Sequence, residues 1–159
     1  MTGYGLLIAL AVVIADQAVK LWIVNGVMVP PHVIEVTSFF SIVLVWNRGA
    51  SFGFLNTHAP WTRYLLVAVA FAICAALLVW LRKARGRWLA TGLGLVIGGA
   101  LGNVVDRISH GAVVDFLDFH VAGYHWPAFN VADSAISVGV VMLVLDGLIG
   151  ARRGNTLGK

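Results

Sequence analysis

The chain has 159 residues, of which 60% are hydrophobic and only 11% charged, with a formal net charge of +4. Such a composition excludes an ordinary soluble globular domain and places the chain in the membrane class. The sequence pI near 9.7 would also suit a nucleic-acid binder, a reading that the placement of the basic residues removes below.

A membrane-crossing helix needs about 20 predominantly apolar residues. The first stretch that qualifies covers about 6–24 and carries Asp16 and Lys20, spaced i,i+4 with the acid first, as a helical salt bridge requires. No basic segment precedes it, so it is expected to be a retained helix rather than a cleaved signal peptide. The connection over 25–63 is too long for a turn. Within it "HVIEV" and "FFSIVLVWN" are β-branched and aromatic runs separated by Thr37 and Ser38, which predicts a short hairpin. "NRGASFGF" (47–54) follows, with two glycines. By composition it suits either an ordinary connection or a mobile loop that closes over a site.

The second span covers about 64–81 and contains the lone cysteine, Cys74, which reads as a small apolar packing residue. Arg82, Lys83, Arg85 and Arg87 then lead into a third span over about 89–105. There, Gly94, Gly98 and Gly102 form two overlapping Gly-x-x-x-Gly pairs, the device that lets helices approach closely in lipid. A nucleotide-binding loop is excluded by the spacing and by the lack of a flanking strand. The fourth span, about 128–149, is followed by Arg152, Arg153 and Lys159. Seven of the eleven Lys and Arg residues thus flank one membrane side, which the positive-inside rule makes cytoplasmic, together with both termini. The basicity is topogenic, and no nucleic-acid role is expected. Trp22, Trp61, Trp80, Trp88 and Trp126 stand near span ends as an aromatic belt would. The expected fold is a single polytopic membrane domain over 1–159. It has an all-α core of four transmembrane helices and a small extracytoplasmic β-rich portion drawn from connections about 25–63 and 106–127.

Polar residues inside these spans are costly and therefore point to function or to specific pairing. Asp16 and Lys20 in span one, Asn103, Asp106 and Arg107 at the end of span three, and Asn130 and Asp133 near the start of span four all fall in the outer third of the bilayer. Asp16–Lys20 and Asp106–Arg107 are expected as buried pairs and caps. Asp115, in "GAVVDFLDFH", is flanked by apolar residues, and strand alternation turns Asp118 to an opposite, solvated face. Asp115 and Asp133 have no basic neighbour in sequence. Two such carboxylates brought together share one proton and can serve as acid and base on a water molecule. A metal site from Asp115, Asp118, His120 and His125 lacks a recognised ligand spacing, and no Gly-x-Ser-x-Gly nucleophile motif is present. Two rival readings are a small ion- or proton-coupled transporter and a non-enzymatic lipid-binding or assembly subunit. The first lacks polar steps at every depth. The second predicts that Asp133→Asn is tolerated.

"DQAVK" (16–20), "NRGASFGF", "GGALGNVVDR" (98–107), "VVDF" (113–116) and "FNVADS" (129–134) together resemble the bacterial lipoprotein signal peptidases, the signal peptidase II family, in order and spacing over almost the whole chain. Val19 stands where that family often has Ser or Thr, and Ser51 where it often has Ala. The resemblance implies an aspartic endopeptidase of the cytoplasmic (inner) membrane. It would remove the signal peptide from diacylglyceryl-modified prolipoproteins just before the lipidated cysteine, near the outer leaflet. It also implies catalytic roles for Asp115 and Asp133. Substrate-binding or supporting roles fall on Asp16, Lys20, Asn47, Gly49, Ala50, Phe52, Asn103, Asp106, Arg107 and Asn130. No metal or organic cofactor is implied; the partners are the lipid-modified prolipoprotein and membrane phospholipid, with inhibition by the cyclic peptide globomycin.

Overall fold

A computed structural model of the chain describes residues 1–49 and 61–156, with the side chains of 150–156 outside the description. Its elements in chain order are helix α1 (Thr2–Trp22), which continues as a π-helical turn over Ile23–Val27, strands β1 (Ile34–Thr37) and β2 (Phe40–Asn47), helices α2 (Trp61–Lys83) and α3 (Arg87–His110), strands β3 (Val113–Val121) and β4 (Tyr124–His125), and helix α4 (Val131–Thr156). Among the described residues, four helical segments are long and apolar enough to cross a membrane: Thr2–Val27, Trp61–Lys83, Arg87–His110 and Val131–Ile149. The chain is a multi-pass membrane protein with a mostly helical body and a small antiparallel sheet.

Helix α3 is the centre of the bundle because its glycines form two separate faces. Gly94, Gly98 and Gly102 turn toward α1. A Cβ there would come within 2.5 Å of the Gly5 carbonyl, 2.6 Å of the Ala9 carbonyl and 2.7 Å of the Asp16 carboxylate. Gly92 and Gly99 turn toward α4, where a Cβ on Gly99 would stand 2.4 Å from the Ala132 carbonyl. The Gly-x-x-x-Gly pattern therefore works as the sequence suggests, and a second stripe on the same helix seats α4. Lipid tails are as apolar as the helices, so this backbone-to-backbone fit replaces the hydrophobic drive of a soluble core. Leu93 and Ile97, fully covered between the glycines, pack with Ala9, Cys74 and Leu81. Cys74 is a buried free thiol in that cluster, as a packing residue should be.

The four strands form one sheet in the order β1-β2-β3-β4. The hairpin is where the β-branched runs place it, with Ile34 opposite Ile42 and Glu35 opposite Ser41. The third strand comes from "VVDFLDFHV", which pairs antiparallel with β2 so that Asp118 faces Ser41, Asp115 faces Val45 and Val113 faces Asn47. Val114 and Phe116 of β3 pack with Ile23 and Met28 at the end of α1. This contact anchors the sheet on the helical body and fixes the height of Asp115 relative to the helices.

Candidate active site

The two carboxylates singled out in the sequence are held by four elements that converge at the junction of sheet and helices. Asp115 is 1% exposed near the start of β3. One of its oxygens accepts a hydrogen bond from Asn130 Nδ2 at 2.7 Å, the other from Asn47 Nδ2 at 3.0 Å. Asp133 Oδ1 accepts from Asn103 Nδ2 at 2.8 Å, and its Oδ2 from the backbone N–H of Asn130 at 3.3 Å. Asn130 thus touches both acids. Its amide also donates to the Val114 carbonyl and to Asn103 Oδ1.

This bridging role has a local cause. The apolar run beginning at Ala128 suggests that Asn130 and Asp133 share a face inside the first turns of a span. The helix instead begins at Val131, and Asn130 precedes it as the cap. Asn130 Oδ1 accepts the N–H of Asp133 at 2.9 Å while Asp133 Oδ2 reaches back to the N–H of Asn130. That reciprocal pair is a capping box, closed here by Asn and Asp. The Asp133 carboxylate therefore sits at a positive helix end rather than in the middle of a turn, which moderates the cost of its burial.

Behind the acids lies a buried ionic cluster. Lys20 Nζ, 3% exposed, is 2.8 Å from Asp16 Oδ2 and 2.8 Å from Asp106 Oδ2. It also donates to Asn103 Oδ1 at 3.1 Å, which turns the Asn103 amide nitrogen toward Asp133. Both flanking acids bind backbone as well: Asp16 Oδ1 accepts from the Ala132 N–H, Asp106 Oδ2 from the Val114 N–H. The cluster therefore ties α1 and α3 directly to the residues next to Asp133 and Asp115. The sequence reading paired Asp106 with Arg107, and the structure corrects it. Adjacent residues on a helix point about 100° apart, so Asp106 turns inward to Lys20. Arg107 instead reaches the Gly49 carbonyl at 3.1 Å and, more weakly, the Asn103 carbonyl. Its Nε is buried without a partner among the described residues.

Asp115 titrates unlike a surface carboxyl. Its carboxyl is raised from 3.8 to about 6: burial is the largest cause, the Asn47 hydrogen bond opposes it, and the charge of Asp133 adds to it. Amide donors are the groups that touch its oxygens, so the proton is held weakly enough to be exchanged near neutrality.

Gln17 was missed in the sequence. Its amide donates to Asp16 Oδ2, to Asp106 Oδ1 and to the Gly102 carbonyl, clasping the two acids that clamp Lys20. An amide inside an apolar span was a legible signal. Asp118, expected in solvent, is 7% exposed, because the β3–β4 turn folds His125 back to 2.9 Å from its carboxylate. Asp115 is not part of a metal-ligand group with Asp118, His120 and His125; no such cluster occurs among the described residues. Gly49 donates its N–H to Asn47 Oδ1, which helps aim the Asn47 amide at Asp115. Ala50, Phe52 and most of the 47–54 loop lie outside the described residues.

Comparison with known proteins gives a consistent picture. The family model described as signal peptidase (SPase) II matches residues 8–149. A lipoprotein signal peptidase of Paraburkholderia phytofirmans is 48% identical over 143 residues, covering 89% of this chain and 82% of the relative. One from Methylorubrum extorquens is 47% identical over 158 residues, 96% of this chain and 91% of the relative. A bacterial membrane enzyme solved at 2.3 Å superposes with a TM-score of 0.81 and 33% identity over 94% of this chain and 90% of that one. A second, at 1.9 Å, gives 0.77 and 34% over 92% and 93%. With a family model that matches nearly its whole length, and relatives close to half identical across it, this chain belongs to the signal peptidase II family of membrane peptidases.

Proposed function

We propose that this protein removes the signal peptide from diacylglyceryl-modified prolipoproteins, cleaving before the lipidated cysteine with Asp115 and Asp133 as an acid–base pair. The observation that carries the reading is Asn130, which donates to Asp115 from its side chain and to Asp133 from its backbone. It holds two carboxylates of different elements at one place, with neutral amides on both. The name of the relatives, lipoprotein signal peptidase, supplies the substrate class.

The chemistry follows from one shared proton. The ionised carboxylate removes a proton from water as the oxygen attacks the scissile carbonyl. The protonated carboxyl gives its proton to the carbonyl oxygen, forming a gem-diol. When the C–N bond breaks, the proton taken from water passes to the leaving nitrogen, which becomes the amino group of the lipidated cysteine. The second proton returns from the gem-diol to the pair. No step calls on a metal or an organic cofactor. A cleft of about 420 Å³, lined by Phe129, Asp133, Ser134, Ser137 and Val138, opens beside Asp133 along the apolar flank of α4. A substrate whose acyl chains stay in lipid reaches the pair from that side.

The membrane is the bacterial cytoplasmic (inner) membrane, with both termini cytoplasmic and the site near the outer leaflet. The basic residues at Arg82–Arg87 and beyond α4 support that orientation. A reporter fused after Lys159 should read cytoplasmic, and an external reading would reverse the orientation. The activity is tested with purified protein and a diacylglyceryl-modified prolipoprotein. A mobility shift is expected, blocked by globomycin and unaffected by chelators. No cleavage of the lipidated substrate would overturn the reading.

A further inference from the structure

A cavity lies on the side of the bundle away from the acids. Helices α1 and α2 both pack along α3 but scarcely touch each other, and the trough between them is a groove of about 680 Å³. Leu6 and Leu10 of α1, Phe71 and Ala75 of α2, and Leu101 and Ile108 of α3 stand along it, and no charged, amide or hydroxyl side chain lines it. The end toward the basic Arg82–Arg87 connection is closed. There the fully buried Leu81 fills the gap between helices: a Cβ on Gly5 would come within 2.6 Å of its side chain and 3.0 Å of the Ala90 carbonyl. From Gly94, which packs on Gly5, to Ile108 the trough runs about 21 Å along α3. It is a long apolar slot with a floor at one end.

The other end leads to a cation. Gly111 follows Ile108 by about one helical turn, and a Cβ on it would come within 3.2 Å of Arg63 Nη1. On the α2 wall, Tyr64 shares a face with Phe71, two turns further on. Arg63 donates to the Tyr64 hydroxyl, and its Cζ lies 4.6 Å from the centroid of that ring. Both walls of the slot therefore run up to one guanidinium. Arg63 has five N–H donors, and among the described residues no carboxylate pairs with it. Trp61 and Tyr64 are exposed on the same turn of α2, as aromatic side chains at the lipid headgroup level are.

We propose that the slot holds an acyl chain of a membrane glycerophospholipid whose phosphate is bound by Arg63. In the orientation given above, that lipid belongs to the outer leaflet. The site stands apart from the peptidase chemistry and does not depend on it. A guanidinium is always charged, and its fork of donors matches a phosphate. The acyl groups of a diacylglyceryl-modified substrate bring no phosphate to it. Position separates the two lipids as well. Leu101 and Ile108 stand about 180–200° around α3 from Gly99, the residue that seats Ala132 of α4. Helix α3 therefore lies between the slot and the cleft beside Asp133. A lipid in the trough braces α1 against α2, which scarcely meet otherwise.

The test titrates the detergent-purified protein with dioleoylphosphatidylglycerol or with dioleoylglycerol, which has the same chains and no phosphate. Native mass spectrometry reads the bound lipid. Wild type should retain one phosphatidylglycerol and bind the diacylglycerol about three- to fivefold more weakly, the scale of a partly exposed ion pair. Arg63→Gln should lower phosphatidylglycerol binding to the diacylglycerol level, and Arg63→Lys should restore part of it. Ala75→Trp fills the slot from an exposed position on its wall. It should lose both lipids while melting as wild type does without lipid. Added phosphatidylglycerol should raise the Tm of wild type and leave that of Ala75→Trp unchanged. Equal binding of the two lipids, or undiminished phosphatidylglycerol binding in Arg63→Gln, overturns Arg63 as the phosphate site. Undiminished binding in Ala75→Trp overturns the slot. A wild type that binds neither lipid, whether monomeric or paired through this face with a second copy, overturns the proposal outright. None of these results bears on the peptidase reading.

Discussion

Asp115→Asn and Asp133→Asn are each expected to lower kcat on a lipidated prolipoprotein by about 10³-fold or more, with the protein still folded. An amide keeps the shape of a carboxyl but cannot exchange the proton that the attack and the collapse both require. If the two acids act on one proton, as proposed, the double variant should be only slightly worse than either single one. Folding should survive, since an ionised Asp115 is a burden to the folded state. Its carboxyl titrates at about 6 rather than 3.8. The stability associated with this group is therefore intact below about 3.8 and is lost as pH rises through about 6. The same sign governs the rate. As pH rises through about 6 the pair loses its last proton and kcat/KM should fall, giving the alkaline limb of a bell. Initial rates across pH, with detergent melts of each variant, check all of this. Substantial turnover by folded Asp133→Asn would end the paired-acid account.

Lys20→Met should be the most damaging substitution for the fold. It leaves the Asp16 and Asp106 carboxylates, 0% and 1% exposed, facing each other without their cation. Breaking a buried ion pair by removing one partner costs about 3–5 kcal/mol, because the remaining charge stays desolvated. On the scale of a chain this size, that is a fall in Tm of about 10 °C in detergent. The loss should reach the site as well, since Lys20 orients Asn103 and Asn103 holds Asp133. Adding Asp106→Asn to Lys20→Met should recover part of the stability by removing one stranded charge. A melt for Lys20→Met equal to wild type would mean that the cluster is not the brace described here.

How much of this was legible in the sequence depends on how local each signal is. Four apolar stretches, the glycine stripe of α3 and the hairpin of β1 and β2 are set by composition and short-range pattern, and each is found near where it reads. The convergence of Asp16, Lys20, Asn103, Asp106, Asn130 and Asp133 was legible from depth, because a polar residue in lipid must find another. Partner choice was not. Asp106 bonds Lys20 rather than Arg107 because the meeting of α1 and α3 decides it, and that depends on how closely Gly98 and Gly102 let the helices approach. The burial of Asp118 depends on a two-residue strand, Tyr124–His125, too short to leave a periodic trace. The capping box at Asn130 had a signature in its Asn-x-x-Asp spacing. It was hidden inside a run whose hydrophobicity suggested an earlier helix start.

The central claim is that Asp115 and Asp133 face each other and share a proton. The most direct measurement is an isotope-edited infrared titration of the Asp115 carboxyl in wild type, Asp133→Asn and Asn47→Ala. Wild type should titrate near 6. Removing the Asp133 charge should lower that value, and removing the Asn47 donor should raise it. A value unmoved by Asp133→Asn would contradict the pairing of the two acids.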